Sequence, residues 1–336
     1  MNTFSKRMAG TALFAGTLLL ASQASASELN KEAYVDVAAA TLWSNPGAAR
    51  TGIDDHSVSN PVNLWSWTKS MSYDEKLWLV GELETQALLG QKVDVLEEQG
   101  DWVKVAVIGQ PTPRLAAGYP GWMPKSQLTI HDRFSSHVNK PFAIVTKPTA
   151  WLYDEKAFIK KHEEISYNTR LPVVAELKDA FAVITPDGKT KWLSKEDGTL
   201  YKSEADMPPA TGEQLAAEAK KFLGLPYLWA GTAGFGFDCS GFTYTIHKAA
   251  GITIPRDSGP QSREGTPIAR EDLQPGDLLF FAYNQGKGRV HHVGMYIGNN
   301  QMIHSPNTAS SVRIDSLDNP AYAVEYAGAK RYVEGH

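Results

Sequence analysis

The chain has 336 residues, of which 42% are hydrophobic and 21% charged, and its formal net charge is −4. That composition excludes a disordered chain, and the length exceeds one ordinary domain, suiting two or three. The acidic balance, without a basic stripe or an aromatic nucleic-acid motif, argues against a nucleic-acid partner and against strong adhesion to anionic polymers.

Lys6 and Arg7, the apolar run from Met8 to Leu20 and the small-residue site Ala24-Ser25-Ala26 read as a signal peptide over residues 1–26. The mature protein is therefore expected to be exported, to the periplasm or to the cell exterior and wall, and to have no membrane attachment. Its removal takes away Lys6 and Arg7 and moves the net charge from −4 to −6. No cysteine sits near the cleavage site to carry a lipid anchor.

From about Lys31 to Leu200 the pattern is short strands broken by turns, rich in Val, Ile, Trp and Tyr. It repeats. Gln91–Leu96, Asp101–Val105 and Gly121–Pro124 correspond to Arg170–Ala175, Ala180–Val183 and Lys191–Ser194, and the opening Ala40–Trp43 corresponds to Ala150–Tyr153. Each copy makes one small all-β barrel, over residues 31–130 and 131–205. The order of strands, with an aromatic in the second and G-W-x-P or W-L-S closing the third, resembles bacterial SH3-like domains. An insertion in the first copy, Thr51 to Tyr73, carries Trp65 and Trp67 and reads either as added core or as a loop leaning over the neighbouring site.

Residues 206–336 change character. Thr211 and Gln214 form a capping box for a helix to about Leu223, Thr243–Ala250 reads as a second helix stopped by Gly251, and strands follow to about Tyr332. Helices followed by an antiparallel meander make this domain α+β. It holds the only cysteine of the chain, Cys239, in GFDCSGF at the start of the second helix. Unpaired amides and the helix dipole favour a thiolate there, and an unpaired thiol in an exported protein is an oxidation liability unless it is used.

Two adjacent histidines lie on the strand Arg289–Gly298. Alternation places His291 in a row with Val293, Met295 and Ile297, which reads as core, and His292 in a row with Gly294 and Tyr296. His292 is thus the better general base, with Gly294 leaving room beside it. Gly298-Asn299-Asn300-Gln301 reads as a hairpin turn that brings His304 back to orient His292. Neighbouring histidines on a strand point apart and no H-E-x-x-H motif is present, so neither a metal nor any other cofactor is expected.

FDCSGF, GDLLFF, HHVGMYIG and MIHSP together resemble the NlpC family of papain-like cysteine peptidases, which cut bacterial cell-wall peptides; the resemblance spans about Thr211 to Tyr332. It implies Cys239 as nucleophile, His292 as base, His304 as the orienting polar residue and Tyr227 beside the oxyanion. The family's bond, γ-D-glutamyl to a diamino acid, puts a carboxylate near the scissile carbonyl, for which Asp238, Ser240, Arg256, Ser258 and Trp229 are the implied binding residues. Two SH3-like domains ahead of such a domain resemble the γ-D-glutamyl-L-diamino acid endopeptidases of dipeptidyl-peptidase type. These release L-Ala-D-Glu from murein peptides with a free amino terminus, and Asp257, Glu84 and Tyr119 are the expected readers of that ammonium. A general hydrolase of intact peptidoglycan, anchored by its SH3-like domains, is the alternative. A catalytically dead wall-binding module is disfavoured by the complete set of catalytic residues, and an acyltransferase using the same thiol stays open.

Overall fold

The computed structural model describes residues 31–138 and 140–333. The signal peptide read over residues 1–26 lies outside them. No helix among the described residues is long and apolar enough to cross a membrane.

The internal repeat is a repeat of topology. In space the first sheet runs Leu83–Leu88, Ala39–Trp43, Tyr119–Pro124, Trp102–Val107, Lys92–Gln99, Lys31–Val35, Leu128–Thr129. The second runs Lys161–Ser166, Thr149–Tyr153, Thr190–Ser194, Ala180–Ile184, Arg170–Glu176, Phe142–Val145, Gly198–Tyr201, the same order one copy later. Both are antiparallel and enclose their own apolar core, the first around Val35, Leu42, Val93, Val105 and Met123. The second closes on Ile165, Leu152, Val183 and Leu193. Strand alternation makes this possible, since each strand gives one row of Val, Leu or Ile to the interior.

The insertion folds into three short helices, Asp55–Val58, Leu64–Ser70 and Tyr73–Trp78, where only a loop or added core was expected. Ser72 and Glu75 make a capping box at the third, a local signal present in the sequence. Trp67 is fully buried with its indole N–H donated to Asp54, at 2.8 Å. Trp65 meets Phe235 of the α+β domain edge to face, the rings 5.4 Å apart. The insertion is core, and the core it makes joins two domains, with Leu228, Ala230 and Ala233 packed into the same cluster.

The α+β domain begins at the helix Gly212–Lys220, capped by Thr211 and Gln214 as the sequence indicates. Its antiparallel sheet runs Thr266–Ile268, Tyr326–Arg331, Leu278–Ala282, Val290–Gly298, Gln301–His304, Arg313–Ser316. The helix Cys239–Ala249 lies against one face with Leu278, Phe280, Val293 and Met295. Leu279, Phe281 and Met302 face the other side, covered by Tyr322 of the short helix Pro320–Glu325.

Hydrogen bonds tie the first β domain to this unit along the strand Leu83–Leu88. Thr232 bonds Gln86 through its amide and its hydroxyl, and Trp229 Nε1 donates to the Leu83 carbonyl at 3.1 Å. Tyr244 donates to the Gly109 carbonyl at 2.8 Å. These buried, satisfied polar groups hold Glu84 and Tyr119 over the start of the Cys239 helix.

Candidate active site

Cys239 is the first residue of its helix because Asp238 caps it: the Asp238 side chain accepts the Gly241 amide at 2.6 Å. Gly241 is required by close approach, since a Cβ there would stand 2.0 Å from the Gly231 carbonyl oxygen. Asp238 is in turn gripped by Arg256, 1% exposed, whose guanidinium reaches both carboxylate oxygens at 2.6 and 3.2 Å. Arg256 also bonds Ser240 Oγ and Thr85 Oγ1, each at 3.1 Å. The sequence reading offered it as a partner for a substrate carboxylate. The structure instead turns it behind the helix start, where its donors are taken by protein acceptors.

Cys239 opens onto a cleft of about 1070 Å³. The cleft wall includes Glu84, Tyr119, Tyr227, Trp229, Asp238, Ser240, Asp257, Ser258 and His292. All but two of the residues expected at the site therefore line one cavity. Arg256 is one exception and His304 the other, buried behind His292.

His292 and Gly294 share the row that the sequence assigned them. Opposite them the turn Asn299-Asn300 has both residues at positive φ, 52° and 56°, the type I′ geometry that matches strand twist. It sets Met295 against Ile303, so that His304 falls beside Gly294 and diagonal to His292. His292 Nε2 stands 2.7 Å from His304 Nδ1. The other ring nitrogen of His304 is 3.0 Å from Asp315 Oδ2.

Asp315 was not foreseen. It lies on the next strand, Arg313–Ser316, and its Oδ2 also takes hydrogen bonds from Arg313 Nε at 2.9 Å and Tyr322 Oη at 3.2 Å. Burial works to raise its carboxyl, but the bonds from Arg313 and His304 hold it below the usual carboxylate range. An ionised carboxylate only accepts, so His304 Nε2 carries the proton. Burial, outweighing Asp315, holds His304 down to about 4, so the ring is neutral and its Nδ1 must accept. His292 then donates from Nε2, which leaves Nδ1 as the free base. Nothing in the sequence marks Asp315 except its pairing two strands away.

The thiol does not show the lowered pKa expected of a helix start. Burial, with Asp238 adding, pushes Cys239 up to about 12, against the amides of Val293 and Ser240 and the charge of Arg256. Burial also holds His292 well below its ordinary value, with His304 and His291 adding. Burial thus disfavours the charged form of each group taken alone. Only transfer between them sets one new charge against the other.

His291 departs from its expected place in the core row. Phe281 pairs with His292 and Ala282 with Val290, which leaves His291 as the extra residue of a β-bulge. Val293 and Met295 are buried, but His291 is swung to the cleft wall, stacked on Tyr283 with rings 4.2 Å apart.

At the first domain's edge of the cleft, Tyr119 Oη stands 3.0 and 3.2 Å from the two oxygens of Asp257. Glu84 is ion-paired with Arg114, whose guanidinium also lies 3.4 Å from Tyr119 Oη. Burial raises the Asp257 carboxyl in spite of the nearby Arg256. Burial and Cys239 raise Tyr227 well above the ordinary phenol value, so it stays a neutral donor beside the thiol.

A model of the NlpC/P60 family matches residues 224–331. Models described as the YKFC SH3b2 domain and the bacterial dipeptidyl-peptidase Sh3 domain match residues 145–201 and 80–128. The chain is 56% identical to a γ-D-glutamyl-L-lysine dipeptidyl-peptidase of Bacillus cereus, over 96% of this chain and 98% of the relative. It is 40% identical to the protein of the same name from Bacillus subtilis, over 88% of this chain and 96% of the relative. Among solved structures, an NlpC/P60 family protein from Bacillus cereus superposes with a TM-score of 0.88 at 57% identity, covering 90% of this chain and all of that one.

Proposed function

The chain belongs to the NlpC/P60 family of cysteine peptidases, and from that premise we propose that it hydrolyses the γ-D-glutamyl bond to the diamino acid in murein peptides bearing a free N-terminal L-Ala, releasing L-Ala-D-Glu. The observation that carries this reading is the cluster Glu84, Tyr119 and Asp257, assembled from two domains on the wall of the cleft that holds Cys239. Arg114 offsets Glu84, which leaves Asp257 with the Tyr119 oxygen to suit an ammonium, and the first β domain brings Tyr119 and Glu84 to that end of the cleft. Relatives of nearly full length are named for the corresponding dipeptidyl-peptidase activity.

Chemistry follows from the hydrogen-bond chain. Nδ1 of His292 takes the thiol proton as Sγ adds to the γ-carbonyl carbon, and the carbonyl electron pair moves to oxygen. The Cys239 amide, among the first-turn donors that a helix leaves free, and the Tyr227 hydroxyl donate to that oxyanion. Collapse breaks the C–N bond, and the proton on His292 goes to the leaving amine. Water, deprotonated by His292, then adds to the thioester and frees the thiol and the new carboxylate. Ser258, on the cleft wall, is the donor for the D-glutamyl α-carboxylate, with Trp229 as a flat wall beside it, while Ser240 lines the same wall with its hydroxyl donated to Asp238 at 3.3 Å. Export of the mature enzyme, read from residues 1–26, belongs to the same proposal.

The test compares mature protein and Cys239→Ala on L-Ala-γ-D-Glu-L-Lys, free and N-acetylated, by mass spectrometry. The expected result is cleavage of the free peptide alone, lost in the variant. Equal cleavage of both forms, or release of muropeptides from purified sacculi, would replace this reading with hydrolysis of intact wall.

A further inference from the structure

We infer that Glu325 binds the side-chain ammonium of the diamino acid on the leaving side of the bond, which makes the His291–Glu325 pair a specificity element; this rests on the peptidase reading above. Four carboxylates line the cleft: Glu84, Asp238, Asp257 and Glu325. Glu84 is neutralised by Arg114 and Asp238 by Arg256. Asp257 holds the Tyr119 hydroxyl beside the Arg256 charge. Glu325 differs, because its ion-pair partner among the described residues is a histidine, with His291 Nε2 3.1 Å from Oε2. The carboxylate thus keeps one oxygen without a hydrogen-bond partner among the described residues, and its side chain is 37% exposed.

Its position is built. The bulge at His291 turns that ring out of the core row, Tyr283 stacks on it at 4.2 Å, and the ring fixes Glu325 on the cleft wall. Tyr283, which stacks on His291 and lies 5.7 Å from the Arg289 guanidinium, and Tyr322 also line the cleft and supply aromatic surface for a methylene stem. Chemistry sets the side. The leaving nitrogen must take its proton from His292, so the residue carrying it lies against the neighbours of His292, and His291 is the adjacent one. The acyl half, with its free ammonium, occupies the part of the cleft at Glu84, Tyr119 and Asp257. No hydrogen bond, ion pair or ring contact among the described residues links that group to the Tyr283–His291–Glu325 group. A four-carbon stem ending in an ammonium, as in lysine, suits the tyrosine surfaces that lead to the Glu325 carboxylate.

The experiment measures kcat/KM on L-Ala-γ-D-Glu-X with X as L-lysine, L-norleucine and L-α-aminoadipate. Substrates are cleaved by wild type, Glu325→Gln and Glu325→Arg. Wild type is expected to favour lysine over norleucine by roughly tenfold, the size of one charge-assisted hydrogen bond. Glu325→Gln should bring that ratio to about one, and Glu325→Arg should move the preference to aminoadipate. An unchanged lysine-to-norleucine ratio in Glu325→Gln overturns the inference while leaving the peptidase reading intact. Failure of wild type to cleave any of the three overturns both.

Discussion

His304 Nδ1 lies 2.7 Å from Nε2 of His292, and the far side of the same ring lies 3.0 Å from Asp315. The ring bonded to His292 is therefore itself held, and a carboxylate outside the cleft wall decides which nitrogen of His292 carries its proton.

Asp315→Asn removes the charge that fixes this tautomer chain and that stabilises the imidazolium formed during acylation. We expect kcat to fall roughly tenfold to a hundredfold, less than for a carboxylate bonded directly to the base, because one ring intervenes. The sign of the pH effect follows. Without the negative charge a cationic His292 is harder to form, so the acid limb of kcat moves to lower pH while the plateau drops. Steady-state kinetics from pH 4 to 9 checks both, and Asp315→Glu should recover part of the loss.

Gly294 leaves the space that His304 uses. A Cβ there would stand 2.8 Å from Met302 Sδ and 3.3 Å from His304 Cβ. Gly294→Ala is expected to displace the His304 strand, lengthen its bond to His292 and lower kcat about tenfold with little change in KM. Overpacking costs stability as well, about 1–3 kcal/mol, visible as a lower Tm.

Asp257 must be ionised to attract an ammonium, and burial raises its pKa. On the free tripeptide, kcat/KM should fall on the acid side as Asp257 takes a proton, and again above about pH 8 as the substrate amine loses one. Asp257→Asn should lower kcat/KM chiefly through KM and erase the acid limb that Asp257 contributes. A pH–rate series on both enzymes decides it.

Glu163 joins the two β domains by accepting the Ala38 amide at 2.9 Å, and burial raises its carboxyl to about 7. An unfolded glutamate ionises near 4.3, so between these values the folded state holds the extra proton and stability falls as pH rises. Glu163→Gln keeps an acceptor for the amide and removes this dependence. Its Tm should exceed that of wild type by a few degrees at pH 8, and the two should converge near pH 4, as read by calorimetry at both values.

Much of the site was legible because it is set by short-range rules. Cys239 stands at a helix start, Thr211 and Gln214 box the helix before it, and Gly298-Asn299-Asn300-Gln301 makes a tight turn that returns His304 toward His292. Hydrogen bonds from i to i+3 and side-chain alternation at i, i+2 act within a few residues, and the chain states them outright. The matching strand orders of the two β domains were legible for the same reason, as a repeated run of alternating strands and turns.

Long-range docking decided the rest. Arg256 reads as a partner for a substrate carboxylate until the first β domain closes over it with Thr85 and leaves Asp238 as its counter-charge. His291 reads as core until a bulge against Phe281 and Ala282 turns it to the cleft. Asp315 gains its role from strand pairing that sets His304 opposite Arg313, and Asp257 meets Tyr119 across 138 residues of sequence. Those contacts depend on how finished surfaces fit, and no local periodicity encodes that fit. The sequence by itself pointed to a candidate nucleophile at a helix start, a candidate base and the strand row that this base shares with Gly294; the tertiary structure alone decided what surrounds them and which charges remain free to meet a substrate.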